Sequence, residues 1–431
     1  MNVIFWHRRD LRIHDNAGLY KALESTGKVY PVFIFDNNIL SHLPSDDKRV
    51  LFIYREVKRL KAEYNAFGSD LIVRFGDPLQ VIPALAEELK VSKVFLNRDY
   101  EPYARNRDSQ LHEILLNRGS EMVGAKDHVI FEKDEIVKAD GNPYTVFTPY
   151  SRKWKEKLNT FFPKSYPTEQ YIGSLQVLPP EGLIELSDLG FLDDEHIVFP
   201  ERTIDEQVLG YYHQQRDIPS IKGTSRLSIH LRFGTISIRD LARKALQSNQ
   251  TFLNELIWRD FYQMIIYHFP HSAKDAFKKQ YDLIQWENDP ALFKAWCEGR
   301  TGYPLVDAGM RELNETGFMH NRVRMVVASF LTKHLLIDWR WGEVFFAQKL
   351  LDYELASNVG GWQWAAGCGC DAAPYFRVFN PESQQQKFDP QMTYIRKWVP
   401  EFGTGRYPEP VVEHSFARTR AIDRFKQALN A

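Results

Sequence analysis

Hydrophobic positions in the first 130 residues follow two alternating periodicities. Short runs of apolar, β-branched residues predict buried strands at Val3–Trp6, Val29–Phe35, Asp70–Phe75 and Lys93–Leu96. Between them, apolar residues recur with helical spacing, which predicts amphipathic helices at Asn16–Glu24, Asp47–Tyr64, Pro78–Leu89 and Tyr103–Asn117. This alternation predicts a parallel, doubly wound α/β sheet with helices on both faces. Such a sheet binds ligands at the carboxyl ends of its strands.

The pattern changes twice further along the chain. Residues 131–199 lose the alternation and carry many prolines, which predicts a long interdomain linker. From about residue 200 strand signals disappear, and apolar residues recur at i, i+3, i+4 and i+7. Helical segments are predicted at 203–215, 235–247, 251–269, 290–299, 305–317 and 321–338. We therefore expect an α/β domain over residues 1–130, the linker, and an all-α domain over residues 200–431.

Helix boundaries are signalled at four positions of this all-α part. Thr251, Asp307 and Asn321 stand near predicted helix starts, and Gly317 is placed to end a helix.

Length and composition agree with two domains. A chain of 431 residues is too long for one ordinary core, and contents of 44% hydrophobic and 26% charged residues indicate a soluble globular protein. No run of about 18 apolar residues exists, so we expect no membrane span. The first basic residues follow an apolar run, which is the wrong order for a signal peptide. A net charge of −1 gives no global sign of nucleic-acid binding, so any DNA contact requires a local basic patch.

The cysteine content indicates a reducing cytoplasm. Cys297, Cys368 and Cys370 are too few for a disulfide framework. The Cys-x-Cys at 368–370 has neither a histidine nor a second cysteine pair near it. We therefore expect no metal site and interpret these cysteines as small residues packed in a turn.

Two basic stretches carry alternative interpretations. "HRRDLRIHDN" (7–16) follows the first strand, and we interpret it as an Arg/Asp network tying the loop to another domain rather than as a ligand site. Dinucleotide and P-loop fingerprints are absent from the N-terminal region. "KGTSRLSIHLRFGTIS" (222–237) places hydroxyls and an arginine ahead of a helix. That arrangement suits a pyrophosphate, and equally a capped helix start with a solvated arginine.

The segment "FLNELIWRDFYQ" predicts a helix with a functional face. Glu255, Trp258 and Tyr262 fall at i, i+3 and i+7, so they share one side. A carboxylate beside an indole can accept a hydrogen bond from a base while the ring stacks. A core tryptophan with a polar rim is the alternative.

Residues 317–379 concentrate arginines, tryptophans and glycines. Asn321 and Met325 stand one helical turn apart. A buried arginine needs a carboxylate partner, and we predict the pair Arg324–Asp352. Such a pair would stabilise the negative charge of a reduced flavin ring, and the glycines at 360–361 would let the backbone approach the ligand closely.

Eight of the ten tryptophans lie between residues 258 and 398, which exceeds what core filling needs. Trp286, Trp339 and Trp362 are candidates for an electron relay from a cofactor to the surface.

These motifs together resemble the DNA photolyase/cryptochrome family over essentially the whole chain, and most closely its bacterial cyclobutane pyrimidine dimer photolyases. The stretches that carry the resemblance are "WHRRDLRIHDN", "GTSRLS", "NELIWRDFY", "TGYPLVDAGMREL" (301–313), "NRVRMVVASFLTKHLLIDWR" (321–340) and "NVGGWQWAAGCGCDAAPYFRVFNP". The resemblance implies an N-terminal α/β antenna domain, a long linker, and a helical domain that holds FAD.

Site residues follow from the resemblance position by position. FAD would be bound by Tyr212, Thr224, Ser225, Arg226, Leu227 and Ser228, and around its ring by Arg324, Asp352, Glu354 and Asn358. The dimer pocket would comprise Glu255, Trp258, Asn321, Met325 and Trp364, with Glu255, Trp258, Met325 and Asn358 as catalytic residues. DNA would face Arg216, Arg322 and Gln384 besides Glu255, Trp258, Asn321 and Trp364. The photoreduction chain would run through Trp362, Trp339 and Trp286.

The activity implied is that of a carbon–carbon lyase: light-dependent repair of pyrimidine dimers in DNA by electron transfer from photoexcited reduced FAD. The dimer would be flipped out of the duplex into the pocket, and the protein would act as a monomer in the bacterial cytoplasm. Folate-binding members carry an Asn–Glu pair where this chain has Tyr103–Ala104, so the identity and presence of an antenna chromophore stay open.

Three alternatives to dimer repair are a cryptochrome photoreceptor, an enzyme for the (6-4) photoproduct and an electron-transfer flavoprotein that never meets DNA. The short chain after "VPEF" and the amide of Asn358 favour repair over signalling.

Overall fold

The computed structural model describes residues 2–25, 27–159 and 161–430. Contacts divide the chain into two compact units. The first comprises Met1–Glu135, Trp154–Thr203 and Arg226–Gln247, and the second comprises Ile136–Lys153, Ile204–Ser225 and Ser248–Ala431. Both units are assembled from separate stretches of chain, so parts of the predicted linker belong to each.

A five-stranded parallel sheet forms the centre of the first unit. Its strands are β1 (Asn2–His7), β2 (Lys28–Asp36), β3 (Ile72–Gly76), β4 (Val91–Asn97) and β5 (Glu121–Ala125), in the order β3-β2-β1-β4-β5. The order reverses at β1, which pairs with both β2 and β4. The predicted parallel, doubly wound α/β sheet is confirmed.

The fifth strand was not predicted from the sequence. Strand β5 has five residues, "EMVGA", of which only Ala125 is buried. It pairs with β4 alone, at the edge of the sheet. An edge strand that is half-exposed lacks the continuous apolar run by which buried parallel strands are recognised.

Helices connect these strands. They are α1 (Ala17–Glu24), α2 (Asn37–Leu40), α3 (Lys48–Ala66), α4 (Pro78–Glu88) and α5 (Pro102–Asn117). Asn16, Asp47 and Asp77 cap α1, α3 and α4 by accepting backbone N–H groups with their side chains. These caps fix the starts of α1, α3 and α4, and all four predicted helices agree with the observed ones to within two residues.

The predicted linker is more structured than its prolines suggest. It contains the helix α6 (Phe147–Lys157) and short 3₁₀ turns. Tyr150, in α6, is 1% exposed. Leu175 forms an isolated parallel bridge with Val29 of strand β2. An irregular stretch that supplies buried side chains and sheet contacts is part of the fold rather than a surface tether.

All named elements between residues 206 and 430 are helices, which confirms the all-α prediction for this part. The α-helices are α7 (Glu206–Gln215), α8 (Ser228–Phe233), α9 (Ile238–Ser248), α10 (Gln250–His268), α11 (Pro290–Cys297), α12 (Pro304–Thr316), α13 (Asn321–Ser329), α14 (Trp339–Lys349), α15 (Leu355–Ala366), α16 (Pro381–Phe388), α17 (Thr393–Trp398) and α18 (His414–Asn430), and the remaining elements are short 3₁₀ or π turns. None of the described helices is both long and apolar enough to cross a membrane.

The helix boundaries differ slightly from those predicted. Gly317 ends α12 with a φ of +69°, as expected for a C-terminal glycine. Asn249 and His320, rather than Thr251 and Asn321, accept the first backbone N–H groups of α10 and α13. The helix predicted over 321–338 ends at Ser329 and continues as a π-helical turn, which interrupts its regular spacing.

The basic stretch after β1 forms a network of buried ion pairs. Arg8 pairs with Asp108 at 2.7 Å and Arg12 with Asp127 at 2.7 Å. Arg239, from α9, also pairs with Asp127 at 2.8 Å, and these arginines lower the pKa of the Asp127 carboxyl. The predicted Arg/Asp network is present, but the prediction that it ties the loop to another domain is wrong. Its partners lie within the first unit, which includes residues 226–247.

Candidate active site

Three predicted site residues lie on one side of helix α10. Glu255, Trp258 and Tyr262 occupy positions i, i+3 and i+7 of this helix. The rings of Trp258 and Tyr262 are 5.4 Å apart between centroids and inclined by 33°. The shared side that the spacing predicted is therefore confirmed.

Four charged side chains form a chain of ion pairs beside this side of α10. Arg216 Nη1 donates to Glu255 Oε1 at 2.5 Å, and Arg322 Nη2 donates to Asp217 Oδ1 at 2.7 Å. Arg216 Nε lies 3.9 Å from Asp217 Oδ1, which joins the two pairs. We call these four residues the mouth cluster. Burial raises the pKa of Glu255, and the charge of Arg216 opposes that rise without cancelling it.

An aromatic residue from the predicted linker completes the surroundings of Trp258. The Phe147 ring stacks on the Trp258 indole at 3.6 Å between centroids and 4° between planes. Its backbone N–H donates to Asp371 Oδ2 at 3.0 Å. Phe147 was not predicted as a site residue because it lies more than 100 residues before Trp258, in a stretch interpreted as a connector.

Helix α13 brings three predicted DNA or pocket residues together. Asn321 is exposed at its first position, while Arg322 and Met325 are half-buried. Arg322 Nη1 lies 3.7 Å from the sulfur of Met325, and the guanidinium lies 4.3 Å from the centroid of the Phe388 ring. Phe388 is the last residue of α16, the helix that also carries the half-buried Gln384. The contact therefore brings α13 and α16 together.

The predicted pair Arg324–Asp352 is confirmed. Arg324 Nη2 donates to both carboxylate oxygens of Asp352, at 2.9 and 3.2 Å. Its Nε donates to the carbonyl of Met319 at 2.7 Å. The guanidinium is therefore held at two edges, with its side chain 25% exposed.

Two further polar residues predicted around the flavin ring have partners that the sequence did not reveal. Glu354 accepts from Arg259 Nη2 at 3.0 Å, in a pair whose side chains are 5% and 10% exposed. Asn358 Nδ2 donates to Glu343 Oε1 at 2.9 Å and to the Glu343 carbonyl at 3.1 Å. Burial raises the pKa of Glu343. Asn358 is therefore fixed with its amide nitrogen towards Glu343.

The glycine pair in α15 has two different roles. A Cβ on Gly360 would lie 2.3 Å from the Tyr262 ring, so protein packing alone requires this glycine, a reason that the sequence did not reveal. A Cβ on Gly361 would meet nothing within 4 Å. Gly361 stands one turn beyond Asn358, so the two share one side of α15, the helix that follows Glu354. That side is polar, and it is open at the glycine.

The stretch predicted to bind phosphates forms a sharp turn before a short helix. Gly223 is buried, and a Cβ there would lie 2.5 Å from the carbonyl oxygen of Gln215. Arg226 is exposed with a φ of +53°, and Leu227 and Ser228 lead into α8. Thr224 and Ser225 are half-buried within this turn.

Tyr212, the remaining predicted FAD residue, lies on α7. Its ring meets the Phe252 ring edge-on at 5.1 Å, and the Arg216 guanidinium lies 5.5 Å from its centroid. Burial and the nearby Glu255 carboxylate raise the pKa of Tyr212. Tyr212 therefore borders the mouth cluster.

The predicted relay tryptophans occupy different environments. Trp362 and Trp339 are each 2% exposed. Trp362 packs on Trp296, 6.0 Å between ring centroids, and its indole N–H has no hydrogen-bond partner in the described part of the chain. Trp286 is partly buried and meets the Phe425 ring at 5.9 Å. Trp364 is half-buried beside Phe379. The order of electron transfer stays a prediction.

No group of three or more His, Cys, Asp or Glu side chains in residues 2–25, 27–159 and 161–430 is arranged to hold a metal ion. Cys368 is 2% exposed, and burial raises the pKa of its thiol to about 12.

The two parts of the chain match two family models. Residues 252–405 match the FAD binding domain of DNA photolyase, and residues 3–169 match DNA photolyase. A parallel α/β unit combined with a helical FAD-binding domain defines a flavoprotein. The chain belongs to the DNA photolyase/cryptochrome family, as the resemblance of its motifs indicated.

Individual relatives cover nearly the whole chain. A deoxyribodipyrimidine photo-lyase of Synechococcus sp. is 39% identical, over 96% of this chain and 94% of its own length. The crystal structure of a bacterial class III photolyase from Agrobacterium tumefaciens has a TM-score of 0.88 at 32% identity and covers 100% of this chain and 98% of its own. An archaeal photolyase from Sulfolobus tokodaii, solved with two FAD molecules, has a TM-score of 0.83 at 34% identity, over 99% of this chain and all of its own.

The chemistry of the predicted ring site fits FAD. Arg324 offers a guanidinium already paired with Asp352, and Asn358 is fixed by Glu343. The open position beside Gly361 leaves room for a planar group on the side of α15 that carries Asn358. Donors, acceptors and a missing side chain on one polar side are what an isoalloxazine edge requires.

Proposed function

We propose that this protein repairs cyclobutane pyrimidine dimers in ultraviolet-damaged DNA under light, as a deoxyribodipyrimidine photolyase. The observation that carries the proposal is the side of α10 on which a half-buried carboxylate, Glu255, and a half-buried indole, Trp258, stand together beside two arginines. An electron-transfer flavoprotein that never meets DNA has no use for such a charged and aromatic opening. Full-length relatives named as photolyases support the same activity.

FAD, when bound in its reduced form, would supply the photoexcited electron that splits the dimer. We propose that its phosphates meet the hydroxyls and amides of the turn around Thr224, Ser225 and Ser228, with Tyr212, Arg226 and Leu227 beside them. Arg324, held by Asp352, would place positive charge at the ring edge, and Glu354 would orient Arg259 nearby. Asn358 would present its amide oxygen, because its nitrogen is engaged by Glu343.

The dimer pocket is proposed on α10 and α13. Glu255 would hydrogen-bond a thymine edge, which it can do as a donor when protonated, and burial already favours that protonated form. Trp258 and Trp364 would stack against the two rings, while Asn321 and Met325 would line the opening. The partial burial of Glu255 and Trp258 would strengthen these contacts at the moment when negative charge develops on the pyrimidines.

DNA would be held through its phosphates by Arg216 and Arg322, with Gln384 beside them on α16. The dimer would leave the helix stack, because a damaged step is cheaper to unstack than an intact one. We propose a monomer acting in the cytoplasm. Trp362, Trp339 and Trp286 would pass electrons from the surface to oxidised FAD.

We also propose an antenna chromophore other than folate in the first unit. Tyr103, at the first of the two positions where folate-binding members carry Asn–Glu, donates its hydroxyl to Asp36 Oδ2 at 2.7 Å and lies 5.5 Å from the Arg107 guanidinium. The two FAD molecules of the Sulfolobus tokodaii photolyase support a flavin as one candidate. Chromophore extracted from the purified protein identifies it by absorption and mass.

One assay tests the main proposal. Purified protein with fully reduced FAD, illuminated with ultraviolet-treated oligothymidine, should restore the absorbance of intact thymine, whereas a dark control should not. A parallel substrate carrying a (6-4) photoproduct should remain unrepaired. Lack of recovery in the light would refute the repair function and favour a photoreceptor. Glu255→Ala should lower the repair yield strongly while FAD stays bound.

A further inference from the structure

We propose that Phe147 is a positioning residue for recognition of the dimer: it holds the Trp258 indole in the orientation that the lesion requires. The proposal rests on the proposed repair function and adds to it a residue outside the helices that form the pocket. It starts from the most closely parallel aromatic stack found for any predicted site residue, 3.6 Å and 4° between Phe147 and Trp258.

The stack is part of a two-point attachment of α6 to α10. Phe147 and Tyr150 are one turn apart in α6, and Trp258 and Phe261 are one turn apart in α10. Tyr150 packs on Phe261 at 5.1 Å between ring centroids, and Phe147 meets the edge of Phe261 at 5.9 Å. Because Tyr150 and Phe261 are buried, this second contact fixes the rotation of α6 on α10 and with it the plane of the Phe147 ring.

The backbone of α6 is fixed as well. The Phe147 N–H donates to Asp371 Oδ2 at 3.0 Å, at the start of a helix whose first N–H groups have no partner within the helix. Asp371 follows the Cys-x-Cys turn after α15, the helix that carries Trp364. This hydrogen bond therefore links the start of α6, which carries Phe147, to the segment that follows the helix of Trp364.

These contacts leave Trp258 little freedom. One face of its indole is covered by Phe147, and its remaining ring neighbours are Phe261, edge-on at 5.6 Å, and Tyr262 at 5.4 Å. A half-buried tryptophan without the stack could occupy several rotamers, and a ligand that stacks on it would have to select one. Ordering a flexible side chain on binding weakens affinity, whereas a side chain already ordered in the free protein avoids that loss. Phe147 therefore affects how the flipped dimer stacks on Trp258 and leaves contacts with the DNA backbone unchanged.

The test compares binding, in the dark, to a duplex carrying one cyclobutane thymine dimer and to the same undamaged duplex, using FAD-loaded protein. We expect Phe147→Leu to weaken affinity for the damaged duplex by about 2- to 10-fold, the range for loss of one aromatic pair. Affinity for the undamaged duplex and the FAD content should stay unchanged. Phe147→Tyr should keep wild-type affinity because it keeps the ring. Phe402→Leu, which removes a ring contact with Tyr407 in the same unit, is the matched control and should leave both affinities unchanged.

A second pair of variants separates positioning from a merely structural effect. In a Trp258→Leu background, Phe147→Leu should weaken binding of the damaged duplex no further, because the residue through which Phe147 acts is gone. If the two substitutions weaken binding of the damaged duplex additively, the proposal is overturned. It is also overturned if Phe147→Leu weakens binding of both duplexes equally, loses FAD or binds the damaged duplex more tightly. If Phe147→Leu does not fold, Phe147→Met replaces it under the same expectations. A wild-type protein that does not distinguish the two duplexes would instead refute the proposed function. If the wild type distinguishes the two duplexes and Phe147→Leu distinguishes them equally well, only the role of Phe147 is refuted.

Discussion

The Arg216–Glu255 pair offers the sharpest test of the electrostatics at the mouth cluster. Arg216→Gln removes the charge that opposes the effect of burial on Glu255. Removing one partner of a fully buried ion pair costs about 3–5 kcal/mol, and these side chains are 24% and 31% exposed. Allowing for solvent screening, we expect the free energy of unfolding to fall by about 1–2 kcal/mol at neutral pH.

A companion variant supplies the control. Glu255→Gln combined with Arg216→Gln leaves two neutral amides that can hydrogen-bond to each other. The double variant should therefore be more stable at neutral pH than Arg216→Gln alone, because no carboxylate is left without a partner. Urea unfolding followed by tryptophan fluorescence, at equal FAD content, measures both.

The dependence on pH distinguishes a buried charge from lost packing. The folded-state pKa of Glu255 is raised, so the ionised carboxylate disfavours the folded state and its protonation relieves that cost. As the pH falls through the raised pKa towards the ordinary range of a carboxyl, Arg216→Gln should regain stability relative to the wild type. The double variant should show no such gain. If Arg216→Gln and the double variant lose the same stability and their stabilities run parallel with pH, the Glu255 carboxylate carries no charge penalty and the loss comes from packing.

Three further outcomes are expected. Gly361→Ala should stabilise FAD-free protein by up to about 1 kcal/mol through helix propensity, yet weaken FAD retention during dialysis. Gly360→Ala, in contrast, should destabilise the fold because its Cβ would meet the Tyr262 ring. If Gly361→Ala retains FAD as well as the wild type does, the flavin ring lies elsewhere. Trp286→Phe should block photoreduction of oxidised FAD, followed by absorbance, but spare repair by protein already reduced; damage to both would refute the relay. Burial lowers the pKa of Lys333 to about 7. The free energy of unfolding of the wild type should therefore rise relative to that of Lys333→Met by about 1 kcal/mol per pH unit from about pH 7.5 to 9.5. If urea unfolding gives parallel pH profiles for the two proteins, the amine is not buried.

The sequence predicted what periodicity and local spacing determine. The strands β1 to β4 follow from short apolar runs, and the shared side of Glu255 and Trp258 follows from the 3.6-residue repeat of a helix; the structure has both. The pair Arg324–Asp352 was predicted because a buried arginine requires a carboxylate partner.

What the sequence did not predict depends on contacts between distant residues. Glu255 pairs with Arg216 across 39 positions, and Glu354 with Arg259 across 95. Either carboxylate could have paired with several arginines, and only the packing of the helices selects one. Phe147 was missed for the same reason: nothing in its own neighbourhood marks it as a partner of Trp258.

The mouth cluster has a consequence for how the protein would respond to intact DNA. Arg216 and Arg322 each carry their own counterion, Glu255 and Asp217, so a phosphate that draws either guanidinium away from its carboxylate would leave that carboxylate uncompensated. On an undamaged strand Glu255 would find no partner to replace Arg216, so replacing the carboxylate by a phosphate at the arginine would add little affinity. On a flipped dimer the released carboxyl would meet the thymine edge. The two ion pairs that stabilise the opening in the free protein would thus make binding selective, because the arginines would bind the DNA backbone tightly only where a lesion is present.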